Sequence, residues 1–248
     1  WTSEIGNAGH SSPAVVGGMV FIGSMDGAVH ALDANTGDAV WEFETGGAVR
    51  ASPTVANATV YAGSDNGTLL ALDAATGALA WRERTGGVVR SSPTVVAGET
   101  ESTNGTVIVG RASGTVSAYD AATGESQWSN RLGETIFSSP TVATVADGNG
   151  STERRVFVGS VDGDVHALDV ATGQRRWSHE TGGPVWSSPT VASVRRGDAG
   201  NATASKAATV FVGSSDDHLY ALDATTGERA WAFETGGSVR SSPTVAGA

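Results

Sequence analysis

The chain is built from short apolar runs set between polar turns. "MVFIGS" (19–24), "TVYAGS" (59–64), "TVIVGR" (106–111), "RVFVGS" (155–160) and "TVFVGS" (209–214) share one pattern, rich in β-branched and aromatic residues. A second run follows each, as in "AVHALD" (28–33). Between the two lie Asp26-Gly27, Asn66-Gly67, Ser113-Gly114 and Asp162-Gly163, which predict tight hairpins with positive φ at both central positions. Asp216-Asp217 breaks this pattern and predicts a looser turn. No apolar stretch reaches the roughly 18 residues of a membrane span.

The runs belong to an internal repeat. Trp1, Trp41, Trp81, Trp128, Trp177 and Trp231 lie 40, 40, 47, 49 and 54 residues apart, and the same order of segments recurs between them. A period in the forties with four strand-like runs predicts an all-β fold, a β-propeller of four-stranded antiparallel blades. Strand A is "SPTV", with its proline first, where a missing N–H costs no ladder bond. Strands B and C are the two runs above, and strand D carries the tryptophan. Between C and D, Asp-x-x-Thr-Gly (Asp33, Asp73, Asp120, Asp169, Asp223) reads as a turn clamp rather than a catalytic acid. The tryptophans are expected to pack between neighbouring blades. Five blades are complete, at approximately 11–46, 51–86, 91–133, 138–182 and 187–236. Lone strands at 1–5 and 242–245 would form a split, partial sixth, as in part of a seven- or eight-bladed ring.

Composition narrows the partners. The 248 residues carry 26 acidic and 15 basic groups, net charge −11, and Lys206 is the single lysine. This argues against nucleic acid and anionic membranes, which need a basic surface. An acidic excess with almost no lysine resembles proteins of salt-loving organisms. There is no cysteine, so disulfides, thiolate metal sites and covalent haem are excluded. "WTSEIGNAGH" has neither a basic segment nor an apolar run, so no signal peptide is expected within this chain. Asn-x-Ser/Thr triplets at Asn57, Asn66, Asn104, Asn149 and Asn201 fall in predicted turns or loops and favour an extracellular or surface glycoprotein.

"ALDAxTGxxxW" followed by "SSPTVxxxxVFVGSxDGxV" resembles the tryptophan-docking repeat of the PQQ-binding-like β-propellers. These include quinoprotein alcohol dehydrogenases and outer-membrane-assembly lipoproteins. The resemblance spans essentially the whole chain and implies a fold more strongly than an activity.

One position varies beside a constant motif. Ser-Pro-Thr-Val hardly changes, yet the residue before its serines reads His10, Arg50, Arg90, Phe137, Trp186 and Arg240. If strand A lines a central funnel, these residues form a candidate site for an anionic or aromatic ligand. The competing expectation is that the arginines bridge to Asp26, Asp65, Asp162 and Asp216 in adjacent hairpins. The quinoprotein resemblance implies PQQ with Ca²⁺, an acidic base and commonly an adjacent cysteine pair. The chain lacks those cysteines, and no catalytic residue carries over. The five histidines, His10, His30, His166, His179 and His218, show no metal spacing. The expectation is therefore a non-catalytic platform with no cofactor, no metal, and a protein partner or self-association. A PQQ-dependent dehydrogenase and a self-assembling surface protein are the alternatives.

Overall fold

The computed structural model describes residues 1–6, 10–98, 105–146, 151–195 and 206–246. They form twenty strands in five separate four-stranded antiparallel sheets, each a propeller blade with its strands in chain order. Two compact units divide the chain. The N-terminal unit, Trp1–Arg131, holds blades I to III. Blade I is β1 (Ala14–Val16), β2 (Met19–Gly23), β3 (Ala28–Asp33) and β4 (Ala39–Glu44). Blade II is β5 (Thr54–Ala56), β6 (Thr59–Gly63), β7 (Thr68–Asp73) and β8 (Leu79–Arg84). Blade III is β9 (Thr94–Val96), β10 (Thr106–Gly110), β11 (Thr115–Asp120) and β12 (Ser126–Arg131).

The C-terminal unit, Leu132–Ala248, holds blades IV and V. Blade IV is β13 (Thr141–Ala146), β14 (Thr152–Gly159), β15 (Asp164–Asp169) and β16 (Arg175–Glu180). Blade V is β17 (Thr190–Arg195), β18 (Lys206–Gly213), β19 (His218–Asp223) and β20 (Arg229–Glu234). Its ladder runs out to Arg195↔Lys206, and that of blade IV to Ala146↔Thr152, so strands A and B of these two blades are longer than those of blades I to III. Residues 1–5 and 242–245 form no strand.

The constant motif joins blades rather than merely forming an inner strand. Ser-Pro precedes each inner strand, which begins at the threonine or alanine. In the N-terminal unit the Ser12 N–H donates to Ser52 Oγ (2.8 Å) and the Ser52 N–H to Ser92 Oγ (3.1 Å). In the C-terminal unit Ser139 and Ser188 donate in the same way to Ser188 and Ser242, both at 2.9 Å. The threonine adds a second rung: Thr54 Oγ1 donates to the Pro93 carbonyl and Thr190 Oγ1 to the Pro243 carbonyl, both at 2.6 Å. The preceding serine holds its own blade, as Ser138 Oγ does by bonding both the N–H and the carbonyl of Gly159 (2.8 Å each). Ser-Ser-Pro-Thr is thus a hydrogen-bonding cassette.

Four of the six repeat tryptophans lie on the Asp-x-x-Thr-Gly turn of the following blade. Trp1, Trp41, Trp81 and Trp177 donate Nε1–H to the carbonyls of Ala34, Ala74, Ala121 and Ala224, at 3.0–3.1 Å. A Cβ at Gly124 would come within 2.8 Å of the Trp81 ring, and its φ of +77° also favours glycine. A β-bulge in every C–D pair, as between Ala31 and Leu32 opposite Trp41, sits beside the tryptophan and sets its direction. Trp128 lies half-buried in β12, opposite Ala118. Trp231 is 45% exposed and packs on Phe211 within its own blade.

The B–C turns differ from expectation. Only the glycine has positive φ, at Gly27, Gly67, Gly114 and Gly163, so these are three-residue loops closed by a left-handed residue. The Ser24 carbonyl accepts from Gly27 N–H (3.3 Å), and Ser24 N–H donates to the Ala28 carbonyl (3.0 Å). The Asp216-Asp217 turn is not looser: Ser214 N–H reaches the His218 carbonyl at 2.9 Å, with Asp217 held at φ 68°. Paired positive φ occurs instead at the A–B turns Gly17-Gly18 and Asn57-Ala58.

Candidate functional site

The D–A connectors pack on the B–C turns, through contacts such as Thr45 Oγ1 donating to the Gly27 carbonyl and Thr181 Oγ1 to the Gly163 carbonyl (both 2.8 Å). The varying residue ends each connector. Three of the six lie in each unit, and the two groups differ in chemistry.

In the N-terminal unit Asp65 joins two of them. Arg50 Nε donates to Asp65 Oδ2 (2.8 Å), while Arg90 donates from Nε to Oδ1 (2.9 Å) and from Nη2 to Oδ2 (3.1 Å). Burial pushes the Asp65 carboxyl up, but the hydrogen bonds and charges of Arg90 and Arg50 outweigh it and hold the group below the usual aspartate range. Arg50 Nη1 also approaches Met25 Sδ at 3.4 Å. His10 is exposed ahead of blade I. An open cleft of about 310 Å³, lined by Asp65, Asn66, Gly67, Arg84, Gly86, Gly87 and Val88, adjoins this pair.

In the C-terminal unit the same positions make a stack. Phe137 and Trp186 lie 5.3 Å apart with ring planes 12° from parallel, and the Arg240 guanidinium carbon sits 5.8 Å from the Trp186 ring centre. The contrast has a local cause. Arg240 follows blade V as Arg90 follows blade II, but the counterpart of Asp65 is Ser215. Arg240 therefore meets no carboxylate at that place and lies on the tryptophan. All three side chains stay half-buried or exposed.

The other hairpin aspartates serve their own turns. Asp26 Oδ1 accepts from Ala28 N–H (2.9 Å), and its Oδ2 meets His30 Nε2 at 3.1 Å. Asp216 accepts from Tyr220 Oη and from Gly182 N–H, both at 2.6 Å. Asp162 accepts from Glu134 N–H (3.1 Å) and Asp164 N–H (3.3 Å). None of these three is the arginines' acceptor; the Asp65 position precedes theirs by one residue in the turn. The C–D aspartates are clamps, as Asp33 Oδ1 shows by accepting from Asn35 N–H (2.8 Å) and Thr36 N–H (3.0 Å). Asn66 is likewise a turn element, with Nδ2 donating to the Thr45 carbonyl at 2.7 Å. Asn57 occupies the A–B turn of blade II, while Asn104, Asn149 and Asn201 lie outside the described residues.

A further cluster is not visible from histidine spacing. Asp162, Asp164 and His166 bring their ligand-capable atoms within 4.8 Å of one another, and no other such group occurs among the described residues. Its signal in the sequence is Asp-x-Asp-x-His, which places residues 164 and 166 on one face of a strand.

A PQQ-repeat family model, described as outer membrane protein assembly factor BamB, matches residues 1–102 and 83–181. The chain belongs to this family. A second model, the β-propeller domain of glucose, ethanol and alcohol dehydrogenases, matches residues 150–247 of the BamB-family propeller. Among solved structures it is similar to the quinohemoprotein alcohol dehydrogenase of Comamonas testosteroni, with TM-score 0.72, 21% identity and 92% of this chain covered. It is also similar to BamB of Moraxella catarrhalis, with TM-score 0.53, 24% identity, and coverage of 93% of this chain and 77% of that one. A curated relative, the lupanine 17-hydroxylase [cytochrome c] of a Pseudomonas species, is 44% identical over 46 residues, which is 18% of this chain and 7% of that protein. The BamB-family propeller spans 43% of the Comamonas structure. At these identities the solved structures establish the propeller fold.

The candidate residues are already engaged with one another, which disfavours PQQ with Ca²⁺ at them. Phe137 and Arg240 lie against the Trp186 ring, and two guanidiniums make three hydrogen bonds to Asp65. The cluster at Asp162 contributes an imidazole, whereas Ca²⁺ takes oxygen ligands.

Proposed function

We propose that this propeller is a binding platform that docks a protein partner through the Phe137–Trp186–Arg240 stack. The supporting observation is the stack itself: a half-buried aromatic pair overlaid by an exposed arginine. Tryptophan, aromatic and arginine anchors are the residue types that dominate protein-interface energies. Such a surface would take an aromatic or carboxylate-bearing side chain. The cassette and tryptophan docking keep its backbone rigid, which lowers the ordering cost of association. An extracellular or surface setting is consistent with the family, which is named for outer-membrane assembly.

The competing ligand is PQQ, since the dehydrogenase propeller model matches residues 150–247, which include Trp186 and Arg240. Two measurements separate the readings. A photo-crosslinking amino acid at exposed Ser238, two residues before Arg240, should yield one discrete protein adduct in the source cells, lost on Arg240→Ala. The melting temperature should be unmoved by excess PQQ with Ca²⁺. A melting-temperature rise with PQQ that Trp186→Ala abolishes would replace the platform with a quinoprotein. Adducts indifferent to Arg240→Ala would remove the stack from the interface.

A further inference from the structure

Blades I and IV carry the same hairpin, Asp-Gly-x-Val-His-Ala-Leu-Asp, in two different electrostatic settings. In blade I the histidine has a carboxylate partner: Nε2 meets Asp26 Oδ2 at 3.1 Å, and Glu42 stands across the ladder with its carboxylate 3.8 Å from Nδ1. In blade IV the residue across the ladder is Ser178, and Asp164 stands where blade I has Ala28. His166 is 0% exposed, and neither ring nitrogen has a hydrogen-bond partner. A buried imidazole orphaned at both nitrogens loses the hydrogen bonds it makes to water in the unfolded chain and calls for an explanation.

We propose that Asp162, Asp164 and His166 form a site for a divalent metal of the zinc class. Two observations converge on it: the proximity of the ligand atoms, to which Asp164 adds a carboxylate that blade I lacks, and the orphaned imidazole. A mixed set of one borderline imidazole and two hard carboxylates suits Zn²⁺ and its neighbours, whereas Ca²⁺ and Mg²⁺ prefer oxygen alone. The strand supplies two ligands from alternate positions on one face, and the turn supplies the third. Glu134 N–H and Asp164 N–H, donating to the two Asp162 oxygens, orient that carboxylate as outer-shell partners do. Burial falls from His166 through Asp164 to exposed Asp162, so the site opens towards solvent on its carboxylate side. A fourth position is left to water or to a ligating group of a partner.

Calorimetric titration of the full, chelator-treated chain with Zn²⁺ tests the site. The wild type should take up one equivalent. Asp164→Ala, which installs the residue blade I already tolerates, should weaken binding by at least about tenfold. His166→Gln should do the same, and His30→Gln in blade I should leave the isotherm unchanged. The melting temperature of the wild type should rise with Zn²⁺ and return with chelator, and that of Asp164→Ala should not respond. The proposal falls if the wild type takes up no Zn²⁺, if Asp164→Ala binds like the wild type, or if Ca²⁺ binds equally well.

Discussion

Asp65 shows how one residue decides what a repeated arginine does. Its counterparts in the other blades are Met25, Ala112, Val161 and Ser215, so blade II alone can anchor the arginines on both sides of its hairpin. Burial raises the Asp65 pKa and the two guanidiniums lower it further than burial raises it. The folded value therefore lies below the unfolded one of about 3.9. The stability this contributes is complete above the unfolded pKa and is lost as pH falls through the folded pKa. Asp65→Asn keeps the shape and removes the charge, and should cost about 1 kcal/mol at pH 7, in the range of partly exposed ion pairs. Urea midpoints of the two proteins should then draw together as pH falls below about 4 and on through the lower folded pKa, where the wild-type carboxylate also becomes neutral. The clamps at Asp33, Asp73 and Asp169 are lowered too, but they are common to both proteins and cancel in the difference. A gap as wide at pH 3 as at pH 7 would mean that packing, not charge, is what Asp65 supplies.

At the scale of the element, a tryptophan is worth what the next blade offers it. Trp81 is 8% exposed, donates to Ala121, and packs on Gly124. Trp231 has the same place in its strand, but with Phe233 (62% exposed) it stands on an open sheet face. Trp81→Ala should cost about 3–5 kcal/mol, and Trp231→Ala under about 1 kcal/mol, measured by chemical denaturation. Equal costs would show that the docking contact carries little energy and that each tryptophan acts within its own blade. This asymmetry bears on what the sequence could reveal. Four strands per repeat, the clamp at Asp33 and the order of elements were legible because each rests on local chemistry. The rung from Ser12 to Ser52 was not, since hydrogen bonds between residues forty apart leave no periodic trace within either segment. The B–C turns were misjudged for a related reason: Asp-Gly suits several hairpin loops, and the Ser24-to-Ala28 register selects the three-residue one. The candidate site was legible as a varying position. Its division into an ion-paired group and a stacked one depended on Asp65 versus Ser215, residues that lie well away from it in sequence.

For the whole molecule, two electrostatic effects oppose each other as salt is added. The pairs at Asp65 and Asp169 hold their charges about 3 Å apart, well inside the Debye length of about 8 Å at physiological ionic strength. Screening weakens them only modestly. The net charge of −11 acts through repulsions among carboxylates spread over the surface, mostly at separations beyond that length, and these are screened strongly. The balance favours salt. Raising NaCl from about 10 mM to 1 M should increase the melting temperature, by roughly 2–4 °C for each kcal/mol of relieved repulsion in a chain of this size. Asp65→Asn sharpens the test because it removes a negative charge and an ion pair together. Its melting temperature should rise less than that of the wild type over the low-salt range, where repulsion dominates, and in parallel with it once the repulsion is screened. A wild-type melting temperature that falls with salt would mean that the short pairs outweigh the dispersed charge, and that the acidic excess is organised into compensated contacts.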